Sequence, residues 1–171
     1  MLEHKLSLLL SREEIARGLE RLAEAIKRDY QGQRPFLVGI LKGSFVFMAD
    51  LIREINMPLT VDFVRIQSYA STSSTGEVTI SPEDPLPVKG RHVLVVEDMV
   101  DTGLTLSCLL GQLEKEAPAS LKLCALLDKP SQRLVPVQID YLGFTVPDLF
   151  VVGYGMDLDQ QYRYLPDLYT I

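Results

Sequence analysis

The chain has 171 residues, 47% of them hydrophobic, which suits a single domain with a sizeable core. Its net charge of -6 argues against a general attraction to nucleic acid, and no run of ~18 apolar residues is present to span a membrane. Cys108 and Cys124 lie in apolar runs and lack the spacing of a metal site, which is typical of core thiols in a reducing compartment. We therefore expect a cytoplasmic protein, and the chain length predicts one domain over residues 1–171.

The first predicted element is a helix over residues 12–29, because Ser11 and Glu14 have the spacing of a capping box and apolar residues recur at helical spacing after them. The patterns then predict, in chain order, a strand at 36–41, a helix at 45–55, a strand at 61–66, a mobile Ser/Thr/Gly-rich loop at 68–77, a proline-rich connection at 81–90, a strand at 92–96 ending at an acidic pair, a helix at 104–115, and strands at 121–127, 139–144 and 150–152. Alternating strands and helices predict an α/β fold with an open, mainly parallel, twisted sheet and flanking helices. Ligands of such folds bind beyond the carboxyl ends of the strands.

The segment at residues 93–105, VLVVEDMVDTGLT, carries the most chemical information. It reads as a buried strand that turns through Thr102 and Gly103 into a helix. Amide groups at the start of that helix, with the Thr102 and Thr105 hydroxyls and a glycine that permits close approach, favour a phosphate monoester.

The acidic pair Glu97 and Asp98 needs a different partner, because two carboxylates beside a phosphate would repel it. Sugar hydroxyls and a divalent cation are natural partners for carboxylate oxygens. A ligand with a 5-phosphate, a ribose diol and a metal-bound diphosphate would satisfy the whole segment.

Two other interpretations of this segment remain open on chemistry alone. In the first, Asp101 and Thr102 only cap a helix while the acidic pair is solvated at a strand end. In the second, Asp101-Thr102-Gly103 is the Asp-Thr-Gly of an aspartic protease, although only one copy is present and it leads into a helix-like run.

Several motifs together resemble the hypoxanthine-guanine phosphoribosyltransferases, over roughly residues 11–171. The matching motifs are 93–105, similar to the phosphoribosyl pyrophosphate signature; 41–44, LKGS, similar to the pyrophosphate loop; 68–69 with 74–76, similar to the mobile lid; 127–130, LDKP, similar to the base-recognition lysine; and 147–157, PDLFVVGYGMD, followed by Tyr162-Arg163, similar to the purine pocket and terminal arginine. The resemblance implies a type I phosphoribosyltransferase-like fold with a small base-recognition hood. Proteins of that family have a non-proline cis peptide bond before the matching lysine, and the sequence leaves open whether Leu41-Lys42 shares it.

The same resemblance implies a magnesium-dependent enzyme that takes a 6-oxopurine base and phosphoribosyl pyrophosphate, assembled as a homodimer or homotetramer. It assigns Asp101 as the catalytic proton acceptor at N7 of the purine. The phosphoribosyl group is assigned to Glu97, Asp98, Asp101, Thr102, Gly103, Leu104 and Thr105; pyrophosphate to Lys42, Gly43 and Arg163; the base to Lys129, Phe150, Val151 and Asp157; the lid to Ser68 and Tyr69; and the metal to Glu97, Asp98 and Asp157.

Plainer interpretations exist for several of these residues. Lys42 would be a solvated loop lysine, Arg163 a surface arginine of the tail, Phe150 an ordinary core residue, and Asp157 a turn aspartate. Two rival functions also remain: transfer to another base, against which Lys129 and the Phe150 motif argue, and a non-catalytic nucleotide-sensing regulator, which would require a basic nucleic-acid surface.

Overall fold

The computed structural model of the protein describes residues 5–68, 78–80 and 85–171. Its helices are α1 (Arg12–Asp29), α2 (Phe45–Ile55) and α3 (Leu104–Lys115), with a 3₁₀ turn at Pro130–Gln132. Its strands are β1 (Ser7–Leu10), β2 (Phe36–Leu41), β3 (Thr60–Ser68), β4 (Val78–Ile80), β5 (His92–Val100), β6 (Ser120–Asp128), β7 (Tyr141–Thr145), β8 (Val151–Val152) and β9 (Leu168–Thr170). The three helices begin and end where the sequence predicts them.

The main sheet has the strand order β4-β3-β2-β5-β6-β7. The strands from β3 to β7 pair in parallel, and only the short edge strand β4 is antiparallel. The prediction of an open, mainly parallel α/β sheet is confirmed. Parallel strands covered on both faces are continuously apolar, which is the pattern of β2 and of the first half of β5.

Helices cover both faces of this sheet. On one face α1 and α2 pack against alternate strand residues such as Leu37 and Leu94. On the other face α3 packs against the intervening residues, among them Val38 and Val95. The predicted capping box at the start of α1 is present: the Glu14 amide donates to Ser11 Oγ, and the Ser11 amide donates to the Glu14 carboxylate.

A second, three-stranded antiparallel sheet has the order β1-β9-β8, which joins the two ends of the chain. This sheet lies where the resemblance implies a small hood beside the main sheet. The sequence predicted neither β1 nor β9, and it predicted the start of β8 one residue early, since Phe150 precedes that strand.

β5 is longer than predicted. The prediction that it ends at the acidic pair is wrong, because Glu97, Met99 and Val100 continue the parallel register with β6. Glu97 and Asp98 therefore lie inside the carboxyl-terminal part of β5 and not in the loop that follows it. Among the described residues, no helix is long and apolar enough to cross a membrane.

Candidate active site

The acidic pair lies at the carboxyl end of the central strand β5. The Asp98 amide donates a hydrogen bond to Glu97 Oε1 at 3.0 Å, which turns the Glu97 side chain back along the strand. Burial, together with the adjacent Asp98 carboxyl, raises the pKa of Glu97 well above its usual range. Two carboxyl groups held in this way are stabilised by whatever brings a positive charge or hydrogen-bond donors to them.

Residues 101–103 form the turn that connects β5 to α3. Gly103 is the N-cap, with φ of +83°, and no side chain caps the helix from that position. A Cβ at Gly103 would also approach the Val135 carbonyl oxygen to 2.5 Å, so the position requires glycine on two counts. Thr102 Oγ1 accepts from the Leu104 amide only at a long 3.4 Å. The plain interpretation of Asp101 as the helix cap is therefore wrong.

The carbonyl groups of this turn all point to one side. Val100 O accepts from the Lys129 amide at 3.0 Å, Asp101 O from Arg133 Nε at 2.9 Å, and Thr102 O from the Leu134 amide at 2.9 Å. In a trans peptide the carbonyl and the following amide point in opposite directions. The amides of residues 101–103 are therefore directed away from the 129–134 segment, and the start of α3 adds further free amides. This is the arrangement expected of a phosphate site.

A cavity of about 290 Å³ lies against this turn. Of the residues assigned to the phosphoribosyl group, its lining includes Glu97, Asp98, Asp101, Thr102, Gly103 and Thr105. Leu104 is not part of the lining. Its side chain is 52% exposed at the start of α3, so only its backbone is placed to contribute.

The predicted pyrophosphate loop follows β2 and faces the same strand end. The Leu41-Lys42 peptide bond is cis, a feature that the sequence left open. Gly43 lies directly against Asp98, and a Cβ there would overlap the Asp98 carboxylate. The buried Ser44 hydroxyl donates to the Ile40 carbonyl at 2.6 Å, which fixes the loop to the end of β2.

A second cavity, of about 330 Å³, contains the residues assigned to the base and to pyrophosphate. Its lining includes Lys42, Gly43, Lys129, Phe150, Val151, Asp157 and Arg163. Lys129, at the end of β6, is only 5% exposed, and within the described parts of the chain its ammonium makes no hydrogen bond or ion pair. Phe150 is 51% exposed, so the interpretation of Phe150 as an ordinary core residue is wrong. A buried cation and an exposed aromatic ring facing one cavity form a site that can bind a flat polar ligand.

Arg163 and Asp157 are joined at the rim of this second cavity. An Arg163 guanidinium nitrogen lies 2.6 Å from Asp157 Oδ1, and another donates to the Gly155 carbonyl at 2.7 Å. Arg163 is thus a fixed, half-buried group rather than a surface arginine. Asp157 does form the turn contact of its plainer interpretation, since Oδ2 accepts from the Gln160 amide at 2.8 Å, while it also holds Arg163.

One residue at this rim was not predicted. The Gln160 side-chain oxygen accepts from Lys42 Nζ at 3.1 Å and from Arg163 at 3.4 Å. No sequence signal could have singled it out, because it is one of two adjacent glutamines in a polar turn. Its importance depends on chain segments 118 residues apart being brought together.

The two cavities adjoin, and Asp98, Met99 and Asp101 line both of them. Asp101 therefore lies between the predicted phosphate turn and the predicted base pocket. Of the lid residues, Ser68 is the last residue of β3, and Tyr69 lies outside the described residues, as does the predicted mobile loop that follows it.

The carboxylates fit the requirements of magnesium. This ion takes hard oxygen donors and usually combines one or two carboxylates with waters and substrate phosphates. Glu97 and Asp98 supply two such groups, and Asp157 lines the second cavity together with Asp98. In the described ranges, no group of three or more His, Cys, Asp or Glu side chains could hold a metal ion unaided. The donor set suits an ion shared with a diphosphate ligand.

Comparison with known proteins gives consistent results. Residues 7–159 match the phosphoribosyl transferase domain family. The chain is 44% identical over 168 residues to a hypoxanthine-guanine phosphoribosyltransferase of Streptococcus pneumoniae, covering 97% of this chain and 93% of that one. It is similar to the crystal structure of a hypoxanthine-guanine phosphoribosyltransferase from Bacillus anthracis, with a TM-score of 0.91, 42% identity, and coverage of 96% of this chain and 98% of that chain.

A solved structure of the hypoxanthine phosphoribosyl transferase from Trypanosoma cruzi has the same TM-score, 0.91, with 38% identity and coverage of 100% of this chain and 94% of that chain. That structure was described in connection with the role of its C-terminal region in oligomeric state and enzymatic activity.

Proposed function

This chain belongs to the hypoxanthine-guanine phosphoribosyltransferases, and from that membership we propose that it transfers the phosphoribosyl group of phosphoribosyl pyrophosphate to hypoxanthine or guanine. The products are IMP or GMP and pyrophosphate, so the reaction recovers free purine bases. One domain, residues 1–171, would carry out the whole reaction.

The observation that carries this proposal is the position of Asp101 between two adjoining cavities. One cavity has the acidic pair and the free amides of the α3 start. The other has the buried Lys129 side chain, whose ammonium has no partner among the described residues, and the exposed Phe150 ring. A purine in the second cavity and a ribose 5-phosphate in the first would meet beside the Asp101 carboxylate.

The chemistry assigns each group a role. A ring nitrogen of the base forms a bond to the anomeric carbon while the bond from that carbon to pyrophosphate breaks. Positive charge that develops on the sugar is stabilised by the nearby carboxylates of Glu97 and Asp98, which also accept from the ribose hydroxyls. Asp101 accepts the proton at N7, which would otherwise leave the product purine cationic.

The remaining residues bind the 5-phosphate, the pyrophosphate and the purine base. We assign the 5-phosphate to the amides and hydroxyls of residues 101–105, and the leaving pyrophosphate to Lys42, Gly43 and Arg163. Lys129 donates to the 6-oxo group of the base, Phe150 stacks on the ring, and Val151 and Asp157 complete the base pocket. From the resemblance alone, Ser68 and Tyr69 belong to a lid over the reacting sugar.

Glu97, Asp98 and Asp157 would hold magnesium, which when bound supplies positive charge to the diphosphate. The chain's own contribution is the orientation of the oxygen donors: β5 fixes the first two, and the contacts of Asp157 with Arg163 and Gln160 fix the third.

A base panel tests the proposal. Hypoxanthine, guanine, xanthine, adenine and uracil would be assayed separately with phosphoribosyl pyrophosphate and magnesium, and pyrophosphate release measured for each. We expect turnover with hypoxanthine or guanine and much less with the others. Turnover with adenine or uracil alone would assign the enzyme to another base, and no turnover with any base would favour a non-catalytic regulator.

We also propose that the protein acts in the cytoplasm as a homodimer or homotetramer. The free thiols of Cys108 and Cys124 suit a reducing compartment. A groove of about 750 Å³ between α1, α2 and residues 163–166 exposes Phe45 and, at 82%, Tyr164. Exposed apolar surface of this kind favours burial against a second copy, and C-terminal residues line it, the region connected with oligomeric state in the Trypanosoma cruzi relative.

Sedimentation velocity tests the assembly. Tyr164→Glu should shift the protein to a smaller species, because it places a charge in the proposed contact. Leu134→Glu is the matched control, since Leu134 is also highly exposed, at 71%, but does not line the groove. A monomeric wild-type protein, or equal effects of both variants, would contradict the proposed contact.

A further inference from the structure

The contacts at the rim of the second cavity place one neutral oxygen between two cations. The Gln160 side-chain oxygen is 3.1 Å from Lys42 Nζ and 3.4 Å from a guanidinium nitrogen of Arg163. An oxygen that accepts from an ammonium and a guanidinium together makes the contacts that a phosphate oxygen makes. Lys42 and Arg163 are also the two cations assigned above to the leaving pyrophosphate.

The orientation of the Gln160 carboxamide follows from its neighbours. Its nitrogen donates to Asp157 Oδ2 at 3.3 Å, and a carboxylate only accepts. Its oxygen must then face the two cations, which only donate. The backbone supports the same placement, because the Gln160 amide donates to Asp157 Oδ2 at 2.8 Å.

The turn that carries Gln160 has an unfavourable backbone conformation. Asp159, Gln160 and Tyr162 have φ values of +51°, +64° and +72°, a region that residues other than glycine rarely occupy. Such conformations persist where the surrounding contacts demand them, and they are common at ligand sites. Here the turn directs Gln160 toward Lys42 and, in the same stretch, Arg163 toward Asp157.

The charge of the cluster depends on position 160 being neutral. Lys42 and Arg163 contribute two positive charges and Asp157 one negative charge, which leaves one positive charge for an incoming anion. A carboxylate at position 160 would cancel that charge and form two ion pairs that pyrophosphate would have to break. A carboxamide holds the same two cations without neutralising them.

We propose that Gln160 is a positioning residue of the pyrophosphate subsite, a neutral placeholder whose oxygen holds Lys42 and Arg163 at the spacing that a pyrophosphate oxygen takes over. This inference rests on the proposed function for the identity of the anion. Gln160 touches no reacting atom, and its contribution is the affinity for the diphosphate end of phosphoribosyl pyrophosphate and for the pyrophosphate product.

The test measures anion affinity without relying on turnover. Binding of pyrophosphate with magnesium would be measured by isothermal titration calorimetry for the wild type, Gln160→Glu, Gln160→Ala and the control Gln161→Glu. The control adds the same charge one residue away, at an exposed side chain that, among the described residues, makes no hydrogen bond to Lys42 or Arg163. Steady-state KM values for phosphoribosyl pyrophosphate and for hypoxanthine would be measured alongside.

Gln160→Glu should weaken pyrophosphate binding and raise the KM for phosphoribosyl pyrophosphate roughly 3- to 30-fold, as expected when two exposed ion pairs must be broken. Gln160→Ala should cost less, about 2- to 5-fold, because it loses only the pre-arranged spacing. Gln161→Glu, and the KM for hypoxanthine in all variants, should stay within about twofold of wild type.

Equal effects of Gln160→Glu and Gln161→Glu on pyrophosphate affinity would overturn the inference, as would a wild type that binds no pyrophosphate. A rise in the hypoxanthine KM as large as that for phosphoribosyl pyrophosphate would also overturn it, since it would indicate general distortion. The inference and the proposed function can fail separately. If pyrophosphate affinity decreases from wild type to Gln160→Ala to Gln160→Glu, but the wild type transfers phosphoribosyl to no base, the inference stands and the proposed function fails.

Discussion

The Lys129 ammonium gives the sharpest prediction about base choice. Lys129 is 5% exposed at the end of β6, its amide is tied to the Val100 carbonyl at 3.0 Å, and the described part of the chain offers its ammonium no hydrogen bond. An ammonium has three donors and no acceptor. It can therefore donate to the 6-oxo group of hypoxanthine or guanine, whereas the 6-amino group of adenine also presents donors.

The size of the effect follows from the cost of an unpaired charged donor. Leaving such a group unsatisfied in a partly dry pocket costs about 1–3 kcal/mol, and every 1.4 kcal/mol is about a factor of ten. We therefore expect kcat/KM for hypoxanthine to exceed that for adenine by roughly 5- to 150-fold or more. A hydrogen bond to a charged group contributes about 1.5–3 kcal/mol, so Lys129→Met should lower kcat/KM for the 6-oxopurines by a similar factor.

The assay compares kcat/KM for hypoxanthine, guanine and adenine in three proteins. Lys129→Met keeps an unbranched chain of similar volume without the charge, so it removes the donor with little change in packing. Phe150→Ala is the contrasting variant. Its ring is 51% exposed at the same cavity, and loss of stacking, about 1–3 kcal/mol per base, should weaken all purines alike.

The reasoning fails if adenine is as good a substrate as hypoxanthine in the wild type. It also fails if Lys129→Met leaves the hypoxanthine-to-adenine ratio unchanged, or if Phe150→Ala alters that ratio as much as Lys129→Met does. Each of these results would mean that the Lys129 ammonium does not read the 6-position.

Three further predictions concern the shared centre of the two cavities. Asp101→Asn should lower turnover roughly 10²- to 10⁴-fold in a protein with normal melting temperature, because the amide cannot accept the N7 proton; near-normal turnover would remove Asp101 from that role. Activity should be lost with excess chelator and return with magnesium, and full activity in chelator would reject a metal at Glu97 and Asp98. Gly43→Ala should lower kcat/KM at least about tenfold, because the added Cβ displaces the Asp98 carboxylate. Gly111→Ala, in open space on α3, should leave kcat/KM unchanged and add about 0.5–1 kcal/mol of stability. Equal kinetics in these two variants would contradict the close packing of Gly43.

The elements that could be predicted from sequence are those whose signals are local. The capping box at Ser11 and the helical spacing after it define α1, and long apolar runs define β2 and β6. The strands β1 and β9, with four and three residues, contain too little pattern, and each is defined by a partner at the other end of the chain. Local propensity cannot reveal a pairing between residues 7 and 170.

In the candidate site too, the residues with a local sequence signal were predicted and those without one were not. Motif residues on β5 and its turn were predicted, since their chemistry is contiguous in sequence. The contacts between segments were not. The Arg133 guanidinium donates to the Asp101 carbonyl from beyond the end of β6, and Gln160 accepts from Lys42 at the rim of the second cavity. Such residues have no distinctive neighbours in sequence, and only the fold brings them to the site.

We expect the acidic pair to lower the stability of the ligand-free protein while it favours ligand binding. Burial and Asp98 raise the pKa of Glu97, so ionised Glu97 is less favourable in the folded than in the unfolded chain. Below the ordinary glutamate pKa of about 4.3, Glu97 is protonated in both states and does not lower the free energy of unfolding. That free energy then falls as the pH rises through the higher pKa of the folded state. Glu97→Gln removes that loss while keeping an oxygen for the Asp98 amide. Without ligand it should raise the melting temperature by roughly 1–8 °C at pH 8, corresponding to about 0.5–2 kcal/mol, and by less at pH 5. Magnesium with phosphoribosyl pyrophosphate should then stabilise the wild type more than the variant, since only the wild type has both carboxylates to offer. Thermal melts at the two pH values, with and without ligand, measure both effects, and a variant that is less stable than wild type at pH 8 would contradict a strained carboxyl pair.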